Sequence, residues 1–477
     1  MQSSDTLKKC AKIALAAMAV LIIGAIIFYK ERTLFADSAY LLFNIINTKH
    51  ISIEHHRYGA IITLIVPYIA THLHLSVKTI LFTYDVWVNL FYFLVAAIIV
   101  YRYKQYGMAI LMALYYFLFV SDSYFLPNDE INQGIAWMFL FFAVTIHYGS
   151  KKANILWLVL PFSVLAFFTL TAHFVLIIPT TFLWVYLIIE KRHWQYNTKN
   201  TILLTCILLA VVSTKFMMTE PASYDSVKLK SLFRMSIPDI VYAFKTPVIK
   251  MFIHRCCTNY WLAMIVFFIG IYHLVKENKK LLITWVLLSC AGYLILMGVV
   301  YGDFDKNVLL FHIELEWKAI AVIMAAPFVL TALPRLKSSH AVVFMLLIFL
   351  VRTGYIASSA VVFHKRYEFK EQIYEKMKEK GIVKLALKDS RSLNEISVLT
   401  WAFPFETIMA SAMHNDSPRV TFFSFSPQDK RVTDLLKVPG GFYDVFGMTP
   451  VNTLNHEYFL MDSTQSYRIM SYEELMK

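Results

Sequence analysis

Residues 10–29 read CAKIALAAMAVLIIGAIIFY, a twenty-residue stretch whose only charge is Lys12. At 1.5 Å per residue it matches the ~30 Å hydrocarbon thickness of a bilayer, so it predicts a transmembrane helix. Lys8 and Lys9 precede it and mark the cytoplasmic end. The stretch is too long, and too poor in small-residue cleavage signals, to be a signal peptide. The rest of the chain agrees, because 58% of its 477 residues are hydrophobic, 16% are charged and the mean hydropathy is +0.56. An integral, multi-pass membrane protein follows.

Further apolar stretches lie near 79–101, 107–121, 131–148, 154–170, 174–190, 200–217, 258–275, 281–300, 318–333 and 340–357, which makes eleven predicted spans with the first. Residues 59–77 are apolar too, but carry Pro67, His72 and His74. Charge decides their placement. If they lie along the outer surface, Arg102, Lys104, Lys151, Lys191, Lys279 and Lys337 share the cytoplasmic side with the N-terminus; if they cross, all six are external, against the positive-inside tendency. Residues 30–78 are therefore read as one external loop holding two surface helices. In the first, 38–47, Leu41, Leu42, Ile45 and Ile46 form one stripe, the pattern of a helix lying in the membrane interface.

Past residue 363 the charges become frequent and the spans stop. The reading is an α-helical polytopic membrane domain over 1–363 and a small soluble α/β domain over 364–477, extracytoplasmic by parity. That domain should hold a charged helix near 364–380, strands at 382–388 and 419–425, and a helix near 401–413. The net charge of +13 sits mostly in short loops between spans, which sets orientation rather than gripping phosphodiester, so nucleic acid is not an expected partner. Five cysteines in or beside spans imply neither a disulfide framework nor a zinc site. P-loop, Rossmann and Ser-His-Asp signatures are absent, and no nucleotide cofactor is implied.

The chemistry-bearing residues gather at the predicted external mouth. Asp37 fits two roles, a general base at the interface and the N-cap of a helix starting at residue 38. Asp129 and Glu130 likewise either cap the helix starting at 131 or take part in catalysis. His55, His56 and Arg57 place three potential cations beside an apolar helix, suited to an anionic headgroup or to anchoring on acidic lipid. Arg352 lies inside the apolar stretch 340–357 near its outer end, where it either snorkels or meets a phosphate. Arg255 beside His254, and His312 with Glu314 and Glu316, sit at helix–loop borders and read as solvated loop, with one of them helping to hold diphosphate or acceptor. His173 reads as an interfacial histidine. Asp303 and Asp305 form an Asp-x-Asp, too common a pattern to imply a metal.

The runs ADSAYLLFNII at 36–46, EHHRYG at 54–59 and PNDE at 127–130, set in this layout, resemble the GT-C superfamily of membrane glycosyltransferases, closest to the metal-independent protein and lipid sugar transferases. The resemblance is architectural over roughly residues 1–360. It implies a polyprenyl-phosphate-linked sugar as donor, a glycan, lipid or protein acceptor on the external face, and no cofactor or metal. It also implies Asp37 as base, with Asp129 and Glu130 as further acids. Arg57, with His55 or His56 and Arg352, would hold the leaving phosphate. A bacterial inner membrane, with the N-terminus cytoplasmic and the C-terminal domain periplasmic, goes with this reading. The chain departs from the family where Ser38 follows Asp37 in place of a second acid, and where the turn at 55–58 lacks proline. The WWDYG run of the metal-dependent oligosaccharyltransferases is absent. Two rivals remain, a transporter or flippase for an anionic lipid or polysaccharide and a catalytically silent relative acting in glycan assembly.

Overall fold

The structure is a computed structural model that describes residues 2–150, 154–191, 194–221, 223–302, 310–388, 399–426, 436 and 438–477. Its first half runs through α1 (Gln2–Thr33), α2 (Ala36–Thr48), α3 (Ile61–His72), α4 (Val77–Ala97), α5 (Tyr106–Leu118), α6 (Glu130–Ser150), α7 (Ile155–Ala172), α8 (Ile177–Glu190) and α9 (Thr198–Met218). The helices α10 (Tyr224–Phe233), α11 (Ile237–Ala243), α12 (Pro247–Thr258), α13 (Trp261–Lys276), α14 (Lys280–Val300), α15 (Leu310–Trp317), α16 (Ile320–Pro327) and α17 (Ser338–Glu379) follow.

Among the described residues eight helices are long and apolar enough to cross a membrane, or nine if the pair 237–258 and 261–276, bent by 85°, is one broken span. All eleven expected stretches are largely helical, and eight of them meet the length and composition of a span on their own. The three that fall short are 107–121, 174–190 and 258–275. Helix α5 has thirteen residues, about 20 Å. Residues Met108 to Leu118 are all buried among other helices, so apolar composition reports protein contact here rather than bilayer thickness.

Charges inside the bundle are tied down. Arg32 on α1 meets the Asp85 carboxylate on α4 at 2.8 Å, both side chains buried, and its guanidinium lies 3.9 Å from the Tyr124 ring. Glu314 accepts the backbone N–H groups of Ser121 and Ser123 at 3.1 and 2.8 Å, so it caps the turn after α5 instead of lying in a solvated loop. Arg352 also differs from expectation. It is fully buried and donates to the Phe117 and Val120 carbonyls at 2.8 and 2.6 Å and to that of Asn259, which satisfies the frayed end of α5.

The last helix of the bundle, α17, runs 42 residues and carries the chain across the expected boundary at 363 without a break. Beyond it come β1 (Lys384–Lys388), α18 (Phe403–Met413), β2 (Thr421–Phe425), β3 (Gly441–Asp444), β4 (Gly447–Pro450), β5 (Arg468–Met470) and α19 (Tyr472–Met476). Strands β2, β1 and β5 form a parallel sheet in that order, and β3 pairs with β4 as an antiparallel hairpin. The expected helix and first two strands are present; β3, β4 and β5 are additions.

This small domain covers α2. Phe43 packs on Phe405, Phe442 and Phe459 with ring centroids 4.9 to 5.4 Å apart, and Asn455 hydrogen-bonds Asn47 Oδ1 and the Ile46 carbonyl, each at 2.8 Å. Leu41, Leu42, Ile45 and Ile46 are buried against protein. The expectation of a helix bathed by the interface is corrected accordingly, since an apolar stripe does not distinguish lipid from a covering domain.

Arg352→Leu would remove three hydrogen bonds to backbone carbonyls, at about 1–3 kcal/mol for each buried carbonyl left without a partner. The variant should show a large fall in thermal stability in detergent, with Arg352→Lys intermediate; wild-type stability in Arg352→Leu would contradict this structural role.

Candidate active site

A cavity of about 500 Å3 opens between the helix bundle and the C-terminal domain. Asp37, Glu54, His55, Arg57, Asn128, Asp129, Glu130, His173 and Glu316 supply its polar wall, and Tyr40, Trp401 and Phe446 its aromatic one. Of the residues singled out in the sequence, it gathers Asp37, His55, Arg57, Asp129 and Glu130, together with His173 and Glu316, which read in the sequence as an interfacial histidine and a solvated loop residue.

Asp37 sits in the first turn of α2. The helix begins one residue before it, with Phe35 as N-cap and no side-chain cap, so the N-cap reading is corrected. Its carboxyl has no hydrogen-bonded partner among the described residues. Burial pushes its pKa up to about 7, Glu130 and Glu54 push the same way, and Arg57 opposes them. A carboxyl so poised exchanges protons readily near neutrality.

Arg57 is placed by two short 3-10 turns, Glu54–His56 and Tyr58–Ala60. His55 and His56 both have positive φ, 51° and 55°, which sharpens the corner. Gly59 presses on α7 so closely that a Cβ would overlap the Phe168 carbonyl oxygen and the Ala172 methyl. Its own carbonyl accepts from the Trp137 indole at 2.9 Å. Thus anchored, Arg57 reaches Glu130 at 3.2 Å and Asp225 at 2.8 Å. Burial alone would lower its pKa, but Glu130 and Asp225 outweigh that and hold it charged. Its Nε is buried with no partner, a donor left over for something else.

Asp129 caps α6 by accepting the Ile131 N–H at 2.9 Å, and its other oxygen meets Lys318 at 3.0 Å; Lys318 also donates to Asn132 at 2.7 Å. Asp129 and Glu130 are therefore each committed to a cation. His173 accepts the Val175 N–H on Nδ1 at 3.3 Å, which in the neutral ring puts the proton on Nε2. Burial, reinforced by Arg57, lowers its pKa well below the ordinary value. Asp225 goes the other way. Burial raises it, but the Arg57 guanidinium prevails and brings it to about 2.

The remaining candidates lie elsewhere. His56 turns to the Tyr58 hydroxyl at 3.2 Å and Glu220 at 3.5 Å. Arg255 donates to Asn259 at 3.0 Å on α12, and Arg352 serves α5; neither lines the cavity. His312 lies in α15, but its side chain, like Asp303 and Asp305, falls outside the described residues. Among the described residues no group of His, Cys, Asp or Glu is arranged to hold a metal ion.

Sequence reasoning missed Glu54, Asn128, Asp225, Lys318 and Trp401, and undervalued His173 and Glu316. A usable signal existed for two of them. The alternation ELEWK at 314–318 sets three charges into an apolar run, and ionisable residues there are functional candidates by default. Glu316 Oε2 is buried without a partner.

Comparison with known proteins adds no relative: no family model matches the chain, and no curated protein is significantly similar to it.

Because the Asp37 pKa is raised, its contribution to stability is full below the ordinary carboxyl value of 3.8 and is lost as pH rises towards 7. Asp37→Asn escapes this loss. The thermal stability of the variant relative to wild type should climb between those pH values and level off above them; a pH-independent difference would refute the shift.

Proposed function

We propose that this chain is an inverting glycosyltransferase of the GT-C kind, which moves one sugar from a polyprenyl phosphate to a glycan, lipid or protein acceptor at the external membrane face. One observation carries the reading: Asp37, without a hydrogen-bonded partner and with its pKa near 7, shares a cavity with Arg57, whose buried Nε lacks a partner. An acid–base group and an anion-directed donor are the two things this transfer requires.

In this reading the acceptor hydroxyl gives its proton to the Asp37 carboxylate as its oxygen attacks the anomeric carbon. The bond from that carbon to the phosphate oxygen breaks on the opposite face, and polyprenyl phosphate leaves with the electron pair. Arg57 Nε–H and the Nε2–H of neutral His173 meet the charge growing on the phosphate, in a site where fixed donors act at low dielectric. The walls suit a saccharide. Carboxylates and Asn128 accept from hydroxyls, while Trp401, Phe446 and Tyr40 offer flat surface to the C–H faces of the rings. Glu130 and Asp225 fix the guanidinium rather than reacting.

Arg352 and Arg255 leave the proposed phosphate set. A transporter is favoured less, because the cations inside the bundle are committed to fixed partners, Arg32 to Asp85, Lys318 to Asp129 and Arg352 to backbone carbonyls. Such closed pairs do not line a path for an anion.

If Arg57 meets charge that grows as the sugar departs, Arg57→Gln should lower turnover by roughly two powers of ten while donor affinity changes much less. Arg57→Lys should recover only part, because an ammonium keeps charge but cannot hold Glu130 and Asp225 and donate from Nε together. Thermal melts establish that each variant is folded. Equal losses in affinity and turnover would reduce Arg57 to a binding group, and wild-type turnover would remove it from the reaction.

A further inference from the structure

The corner between α1 and α2, immediately before Asp37, is held by the far end of the chain. Ala36 has φ +47°, a left-handed conformation that an L-residue other than glycine seldom adopts. Its N–H donates to Glu406 Oε1 at 3.1 Å, and Glu406 lies on α18, 370 residues later. The same carboxylate receives Arg366 Nη1 at 2.8 Å and Nη2 at 2.9 Å, and Lys370 Nζ at 2.5 Å. Lys370 donates also to the Leu34 carbonyl at 2.6 Å, and the Arg366 guanidinium lies 4.6 Å from the centre of the Phe35 ring. Leu34, Phe35 and Ala36 are thus each gripped by one member of a buried charged triad.

Stability alone is a poor reason for such a triad. Replacing a buried ion pair by apolar residues of similar volume is often neutral or stabilising, so its specific contribution is geometric. The geometry it fixes is the strained peptide that sets the direction of the next side chain.

We infer that Glu406 is a positioning residue for Asp37: through the Ala36 amide it holds the α1–α2 corner in the conformation that aims the Asp37 carboxyl into the cavity. The C-terminal domain is by this inference a working part of the site. Glu406 itself does not line the cavity. The inference rests on the reading of Asp37 as the base.

The test uses the purified full chain with a polyprenyl-phosphate sugar. Glu406→Asp keeps the charge but shortens the reach to Ala36, so turnover should fall about 10- to 100-fold with donor affinity little changed, since misplacing a reacting group by about 1 Å costs that much. Adding Ala36→Gly should restore most of the loss, because glycine holds positive φ without a clamp. A purely structural Glu406 predicts the reverse, a double variant no better than the single one, because glycine only adds flexibility. Turnover unchanged in Glu406→Asp, or no rescue, would overturn the inference. Should Glu406→Asp fail to fold, Lys370→Met, which releases the Leu34 carbonyl, replaces it with the same expected loss and rescue. Hydrogen exchange separates this idea from the transferase reading. The Ala36 amide should be protected in wild type and exchange faster in either clamp variant. Absence of transfer by wild type with any donor would sink the transferase reading, while unchanged exchange at Ala36 would sink the clamp.

Discussion

Arg57 is the hinge of the arrangement. From the loop that follows α2 it touches α6 through Glu130 and α10 through Asp225. That double grip joins the anchoring of Gly59 on α7 and Trp137 in fixing the loop against the acidic wall. The guanidinium is nearly buried, and a buried charge without partners costs several kcal/mol, so its two carboxylates are a condition of its being there. The same constraint recurs through the bundle, at Arg32 with Asp85, Lys215 with Asp225 and Lys318 with Asp129. What sets the cavity apart is that some groups in it escape the rule. Asp37, Glu316 Oε2 and Arg57 Nε have no such partner.

That imbalance gives the site its character. Five carboxylates line it against one arginine and two histidines, and Asp129 and Glu130 are answered by Lys318 and Arg57. Burial raises the Asp37 pKa and the surplus adds to it, since Glu130 and Glu54 both oppose its ionisation. A carboxyl near an ordinary pKa would be a weaker base at neutral pH, so the acidity of the surroundings serves the proposed chemistry. The same surplus leaves only a few donors for an anion, which confines the proposed phosphate position to the neighbourhood of Arg57 and His173.

Much of this was legible in the sequence where a single local signal decides the matter. Long apolar windows marked the eight long spans, a lone acid soon after the first of them marked Asp37, and a basic run marked Arg57. Length failed for α5, whose burial among other helices frees it from bilayer thickness. The stripe on α2 was seen but assigned to lipid, because periodicity records an apolar face and not what covers it. Arg352 looked like a phosphate ligand because an arginine in an apolar run is conspicuous, whereas its partners are carbonyls from α5 and from residue 259, invisible in a linear reading. Glu406, Asp225 and Trp401 carried no local signal at all. Each matters through a contact more than 150 residues away or by lining a cavity built from distant segments. The hairpin of β3 and β4 was missed because its strands have four residues each and its turn, Val445–Phe446, lacks the usual Asn-Gly.

The central claim is that the cavity breaks the bond between a sugar and a polyprenyl phosphate. The most direct measurement reconstitutes the purified wild-type chain in liposomes with a polyprenyl-phosphate sugar labelled in the sugar, adds extract of the external face as acceptor, and follows both label and lipid. The account predicts free polyprenyl phosphate and a labelled product whose anomeric configuration is inverted. Folded protein that leaves the donor intact across the common sugars, or that carries it across the bilayer uncleaved, would contradict it.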